Sequence, residues 1–228
     1  MKFIRLNYDK KFAYGCLHEL QVPTNNTPDR TFSSHQEREV LIQIYHKTNG
    51  NSWFNTAGWL NKTIPHCKWY GITCENKTGY IISIYLIQNN LTGILPRTLW
   101  KLRNLQGLCV GNNPRLSGTV RDVVSFNMTS LLRLDLSFNS HFGKIPGDAL
   151  VQMKSLQKLQ LCCQEGNRLT GEIPKDIGNL KDLQVLSLGE NRLEGIIPKS
   201  IGRLKKLWFI DLETPFNLTG GFENLFNV

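Results

Sequence analysis

From Ile81 onward the aliphatic positions recur in one fixed phrase. A leucine or isoleucine is followed by two variable residues, a second aliphatic residue, one variable residue and a third. An asparagine and a Gly-x-Ile-Pro-like turn close it. The phrase runs IISIYLIQNNLTGILP from Ile81 to Pro96 and LQVLSLGENRLEGIIP from Leu183 to Pro198. It restarts at Ile81, Leu105, Leu131, Leu156, Leu183 and Leu207, in steps of 24 to 27 residues. A period of that length marks a solenoid, in which each repeat buries its apolar side only against its neighbours.

Alternation of aliphatic and variable residues predicts one short strand per repeat, with alternate side chains on opposite faces. Ile84 and Leu86, Leu134 and Leu136, and Leu186 and Leu188 are the inward pairs. Asn89, Asn113, Asn139 and Asn191 sit where the chain must turn, and a carboxamide there satisfies backbone groups otherwise buried unpaired. Gly93, Gly143, Gly171 and Gly195 permit tight bends. Pro96, Pro146, Pro174 and Pro198 hold the return limb extended. Three departures stand out. Repeat two has an extra residue at Pro114-Arg115 and Arg121 in place of proline. Repeat three has His141 at a leucine position, expected at the edge of the coil. Repeat four carries LCCQEGNRL, which delays the turn asparagine to Asn167 and predicts a bulge disturbing the ladder.

Upstream, residues 1–33 show no period and are expected to form an irregular extension. Ser34-His35-Gln36-Glu37 has the form of a capping box. Behind it Val40, Leu41, Ile44 and Tyr45 have helical spacing, ending near Thr48. Trp53, Trp59 and Leu60 add bulk to a cap over the open side of the first repeat, since a terminal repeat has no neighbour to cover it. The spacing C-x6-C in CKWYGITC makes a Cys67–Cys74 disulfide sterically feasible, and His66 alone does not complete a metal site. Cys109, Cys162 and Cys163 are read as free or unassigned; Cys16 reaches them only if the extension does.

NGNSWFNTAGWL, CKWYGITC and the turns NNLTGILP, NRLTGEIP and NRLEGIIP together resemble the leucine-rich-repeat domain of the plant-receptor subtype, over residues 34–228. The resemblance extends to receptor-kinase ectodomains and polygalacturonase-inhibiting proteins. It implies an α/β solenoid: a right-handed coil with a parallel β-sheet on its concave face and an N-terminal helical cap. The expected organisation is an extension (1–33), a cap (34–80) and about six repeats (81–228). Phe222, Leu225 and Phe226 form a short closure, or the chain is part of a longer protein.

Ligand contacts are then expected on the concave face, at the outward positions of the strands. One column is Tyr85, Cys109, Asp135, Gln160, Ser187 and Asp211. A second is Ser83, Gly107, Arg133, Lys158, Val185 and Phe209. A third, with Ile82, Gln106, Leu132, Gln157 and Gln184, ends at Trp208. Aromatic residues and arginine dominate interface energetics, so Tyr85, Trp208 and Phe209 are candidate anchors. Arg133, Lys158, Asp135, Gln160 and Asp211 supply polarity and register.

Composition narrows the function. The net charge is +9, but lysines and arginines are scattered and not interleaved with aromatics, which argues against a nucleic-acid partner. No apolar run approaches the ~20 residues of a membrane span. No nucleophile elbow, phosphate loop or paired-cysteine metal motif is present, so neither an enzyme nor a cofactor is expected. Sequons at Asn25, Asn61, Asn76, Asn90, Asn127 and Asn217, with the cysteine pair, point to an extracellular or cell-surface glycoprotein. The first fifteen residues lack a secretory apolar stretch, which implies a leader outside this sequence or, alternatively, a cytoplasmic protein. The expected function is recognition of a protein or peptide, as by a receptor ectodomain. The alternative is inhibition of a secreted cell-wall hydrolase, where basic charge suits an acidic polysaccharide or enzyme surface.

Overall fold

The structure, a computed structural model, describes residues 34–163, 167–213 and 218–220. The extension with Asn25, the sequon Asn217 and the closing Phe222, Leu225 and Phe226 lie outside them.

Each aliphatic phrase yields one strand. The cap contributes β1 (Ile72–Cys74). The repeats contribute β2 (Ile81–Tyr85), β3 (Gly107–Cys109), β4 (Arg133–Asp135), β5 (Lys158–Gln160), β6 (Val185–Ser187) and β7 (Phe209–Asp211). They form one sheet in chain order. β2 to β7 are parallel, whereas β1 runs antiparallel to β2. Ile84, Leu108, Leu134, Leu159, Leu186 and Ile210 fall in one register row and are all buried. Leu86, Leu136 and Leu188, two residues further along, are buried as well. Period-two alternation thus produces the predicted inward face.

The Gly-x-Ile-Pro limb forms a second parallel sheet. Its strands are Thr92–Ile94, Arg115–Thr119, Ser140–Lys144, Arg168–Gly171 and Arg192–Leu193. Gly93 shows why glycine opens this limb: its φ is +91°, and a Cβ there would stand 2.5 Å from the Lys47 carbonyl oxygen of the cap. An L side chain is excluded both by the left-handed backbone and by the docked helix end.

The turn asparagines interlock successive repeats. Asn139 Oδ1 accepts the Asn113 amide of the preceding turn at 2.8 Å. Its Nδ2 donates to Leu136 O in its own turn (3.0 Å) and to Val110 O in the preceding one (3.2 Å). Asn191 repeats the pattern with Leu169 N, Leu188 O and Leu161 O. Asn89 closes the series on the cap, bonding both the amide and the carbonyl of Asn55. Asn167, despite the insertion before it, still reaches Leu161 O (3.0 Å) and Leu136 O (2.8 Å). β5 keeps its register with both neighbours. The expected bulge falls on residues 164–166, which lie outside the described residues; the ladder of β5 itself is intact.

Repeat two compensates for its missing proline. Thr119 and Asp122 form a capping box that starts a four-residue helix, Val120–Val123, so a capped turn replaces the ring-fixed one. Arg121 pairs with Asp148 of the next repeat.

The cap covers the first repeat with α1 (Ser34–Lys47), whose Val40, Leu41, Ile44 and Tyr45 are buried. Trp53, Trp59 and Trp69 pack beside Tyr45 with ring centroids 4.8–6.0 Å apart. Each indole N–H finds a carbonyl: Thr48 O, Tyr70 O and Ile64 O respectively. Leu60, expected among them, is exposed and adopts a φ of +60°. Glu37, read as half of a capping box, is drawn into the stack, where its Oε2 accepts the Ile81 amide at 2.8 Å. Burial pushes this carboxyl up to about 7 against the opposing pull of that bond.

Candidate functional site

The register of β2 to β7 places the outward residues in two uninterrupted rows. Ser83, Gly107, Arg133, Lys158, Val185 and Phe209 oppose one another strand by strand. Tyr85, Cys109, Asp135, Gln160, Ser187 and Asp211 do the same two residues on. The candidate residues are brought together on one face, but their environments differ along it.

The second row turns back on the protein. Asp135 is buried; its Oδ1 accepts the Ser137 amide at 3.0 Å and also the Ser137 hydroxyl. Desolvation raises its carboxyl to about 6, against the lowering effect of those bonds. The carboxylate leans towards Gly111 of the preceding turn, where a Cβ would meet Oδ1 at 2.9 Å. Asp211 accepts from the Ser187 hydroxyl and the Glu213 amide. Both aspartates therefore brace strand ends. Gln160 is buried too, and Tyr85 half-buried.

The first row holds the charge. Arg133 and Lys158 face each other across β4 and β5. Burial lowers the pKa of both, and for Lys158 the Arg133 guanidinium adds to the effect. Two cations thus stand side by side in a partly desolvated setting. At the far end, Trp208 is 49% exposed and its ring meets Phe209 edge-on at 6.1 Å. The face thus runs from a shielded stretch over β3 and β4, past a cationic pair, to an aromatic corner.

Sequence reasoning placed His141 at the coil edge, whereas the structure buries it in the core. Its Nδ1 lies 3.2 Å from Gly118 O, and Nε2 is buried without a hydrogen-bond partner. Desolvation depresses its pKa to about 4. The neutral ring fills the leucine seat because its volume is similar, at the cost of one unpaired nitrogen.

Cys67 and Cys74 are disulfide-bonded, with Cα atoms 5.4 Å apart, tying β1 to the cap turn. Cys162 and Cys163 are also bonded to each other, and Cys109 is disulfide-bonded as well. Of the reading of these three as free or unassigned, the free alternative is therefore corrected: no described cysteine is free. Two groups of donor atoms lie within 4.8 Å of one another, His66 with Cys67 and Cys74, and Asp211 with Cys162 and Cys163. In both, the sulfurs are committed to disulfides and have no thiolate to offer a metal.

Asn61, Asn76 and Asn127 are exposed, whereas Asn90 is half-buried and donates its side-chain amide to Ser52 O at 2.7 Å. No described helix is long and apolar enough to cross a membrane.

Parallel strands joined by short return limbs, an asparagine ladder and a helical, tryptophan-rich cap define a leucine-rich-repeat solenoid. The family comparisons agree. The model described as leucine rich repeat N-terminal domain matches residues 34–75, and that described as Leucine Rich Repeat matches 155–180 and 182–204. The chain thus carries a leucine-rich-repeat N-terminal domain followed by leucine-rich repeats. Receptor-like protein 7 of Arabidopsis thaliana is 40% identical over 94 residues, covering 40% of this chain and 9% of that protein. This chain therefore spans about a tenth of that relative. Among solved structures, the BIR2 ectodomain of Arabidopsis thaliana superposes with a TM-score of 0.64 at 28% identity, covering 73% of this chain and 85% of that one. The plant peptide hormone receptor RGFR1, solved in complex with RGF2, gives a TM-score of 0.54 at 37% identity, covering 62% and 20%. The relatives are plant receptor-like proteins and receptor ectodomains.

Proposed function

We propose that this chain is an extracellular recognition module that binds a protein or peptide on the concave sheet, with the aromatic corner as anchor. The observation that carries this reading is the pairing of Trp208, 49% exposed, with Phe209 at the end of a row that also holds Arg133 and Lys158. An exposed tryptophan against a half-buried phenylalanine, beside charged residues, has the composition of an interface hot spot. Likeness to a receptor for a peptide hormone supports the ligand class. The exposed sequons and the Cys67–Cys74 bridge support the compartment.

Peptide binders selected from a displayed random library against the full chain test the site. Trp208→Ala is expected to weaken them at least ~10-fold, as loss of a hot spot does. Lys206→Ala, on an exposed flank residue paired with Asp182, should leave them unchanged. Binders that tolerate Trp208→Ala, Phe209→Ala and Lys158→Ala alike would rule the concave site out. A fungal polygalacturonase that keeps full activity in the presence of the chain would separate this reading from that of a hydrolase inhibitor.

A further inference from the structure

A second charged surface lies away from the concave sheet, on the sheet of return limbs. The limb strands Ser140–Lys144, Arg168–Gly171 and Arg192–Leu193 run side by side. Phe142 stands opposite Arg168, Lys144 opposite Thr170, and Thr170 opposite Arg192. Leu169 and Leu193 are buried, so period-two alternation turns Phe142, Lys144, Arg168, Thr170 and Arg192 outward. All five are exposed, Phe142 at 47%. Lys144, Arg168 and Arg192 follow one another at intervals of 24 residues, so the coil gathers charges that are scattered along the chain. Arg168 and Arg192 each come directly after a ladder asparagine, Asn167 and Asn191, whose buried carboxamide bonds hold the strand start in place.

The three cations are not neutralised by their neighbours. Only Thr170 separates Lys144 from Arg192 in their row, which sets the two backbones about 10 Å apart. Arg168 lies two residues before Thr170, about 7 Å along the strand. The stem of Lys144 lies over Gly171, where a Cβ would meet its Cγ, Cδ and Cε at 3.2–3.4 Å. That contact carries the ammonium towards the strand of Arg192. Glu172 leans one turn further on, its own stem over Gly195, where a Cβ would meet Cγ at 3.0 Å. Arg97, Arg121 and Lys206 are each matched with an aspartate. Lys144, Arg168 and Arg192 have no such match among the described residues. Like charges on one sheet face repel, so an anion seated among them gains from all three.

We propose that this part of the limb sheet binds an acidic oligosaccharide, a chain of linked uronic acids. Each arginine takes a carboxylate through two parallel N–H donors, and Lys144 adds a point charge. Thr170 presents a hydroxyl to the sugar between them. The exposed ring of Phe142 is the stacking surface, since the negative face of an aromatic ring attracts the C–H groups of a sugar. The layout favours a sugar over an acidic peptide. Peptide anchors sink into desolvated pockets, whereas Phe142 stands on an open sheet with Thr119 and Arg168 as its row neighbours. Glu172 and Glu194, both exposed, bound the site, because they repel a polyanion that runs on past Gly171. The site is separate from the concave sheet and takes a different class of ligand.

The test is calorimetric titration of the full chain with an oligogalacturonate of about ten units at about 0.15 M salt, where scattered surface charge is screened. Lys144→Gln, Arg168→Gln and Arg192→Gln together are expected to weaken binding at least ~10-fold. The charge-matched set Lys154→Gln, Lys175→Gln and Lys199→Gln, at exposed lysines outside this sheet, should weaken it less than ~2-fold. Circular dichroism of both sets should match the parent. Equal losses in the two sets, or no binding at ~1 mM sugar, overturn the proposal. Phe142→Ala keeps the charge; it should weaken the uronate at least ~3-fold and leave poly-glutamate unchanged. Poly-glutamate that binds as tightly as the uronate, with the same loss in the first set, gives the patch to acidic peptides and overturns the sugar assignment. Trp208→Ala should leave uronate binding intact, so this site and the concave one fail separately. A loss there would move the sugar to the concave sheet and overturn the proposal.

Discussion

Two buried titratable residues give the fold opposite responses to pH. His141 binds its proton near pH 6.5 when unfolded but only near pH 4 when folded. Stability conferred above pH 6.5 is lost as the pH falls through that window, by up to about 3 kcal/mol. His141→Leu restores the aliphatic seat and removes the unpaired Nε2. Chemical denaturation should show a shallower acid loss between pH 6.5 and 4, and no loss of stability at pH 7. Glu37 behaves in reverse, since burial holds its folded carboxyl near 7 against 4.5 unfolded. Its contribution is complete below pH 4.5 and is lost as the pH rises through 7, again by up to about 3 kcal/mol. Glu37→Gln keeps an acceptor for the Ile81 amide. It should match the parent at pH 4.5 and exceed it above pH 7; a variant weaker than the parent at pH 8 would refute this account. Neither residue's burial was legible in sequence. Glu37 looked like an N-terminal capping partner, since nothing local shows that an amide 44 residues away needs it. His141 broke the leucine pattern, and a polar residue in a core seat is visible only once its neighbours surround it.

The repeat is the element whose logic the sequence displayed most fully. Strand, inward pairs and turn asparagines all follow from spacing, because each obeys a local rule that recurs. The second sheet was less visible, since Gly-x-Ile-Pro suggests an extended limb but not that successive limbs pair. Capping of repeat two by Thr119 and Asp122 went unread, although T-x-x-D was there to see. The asparagine bonds carry a quantitative expectation. Asn139→Leu leaves the buried Asn113 amide without its partner, at about 1–3 kcal/mol, whereas the Val110 and Leu136 carbonyls each keep a second carboxamide, from Asn113 and Asn167. The loss in urea-unfolding stability should be about 1–3 kcal/mol, whereas Ser140→Ala, whose hydroxyl bond to Pro114 O is exposed, should cost under ~1 kcal/mol. Glycan occupancy is an element-level readout too. In a secreted chain, Asn61, Asn76 and Asn127 should be occupied more fully than Asn90, whose amide is engaged with Ser52; glycopeptide mapping checks the order.

For the molecule as a whole, stability is a sum of repeats and the interfaces between them. Amide exchange should therefore be slowest in β3 to β6, which have neighbours on both sides, and faster in β7. The exposed ion pairs Arg97–Asp122 and Lys206–Asp182 contribute little to that sum, about 0–1 kcal/mol each. The rows of the candidate site were legible because a constant period brings equivalent positions into register. Their burial was not, since it depends on aspartates that fold back to their own turns. The asparagine bonds also give the array a grammar for change. Each turn is sealed by the carboxamide that follows it, so a repeat can be added or removed only as a whole unit running from one asparagine to the next. Between a strand's last leucine and that asparagine, however, the chain is free to lengthen, as Leu161 and Asn167 demonstrate. Foreign sequence grafted into that interval would leave the asparagine joints in place, as Asn167 keeps its bonds to Leu136 O and Leu161 O.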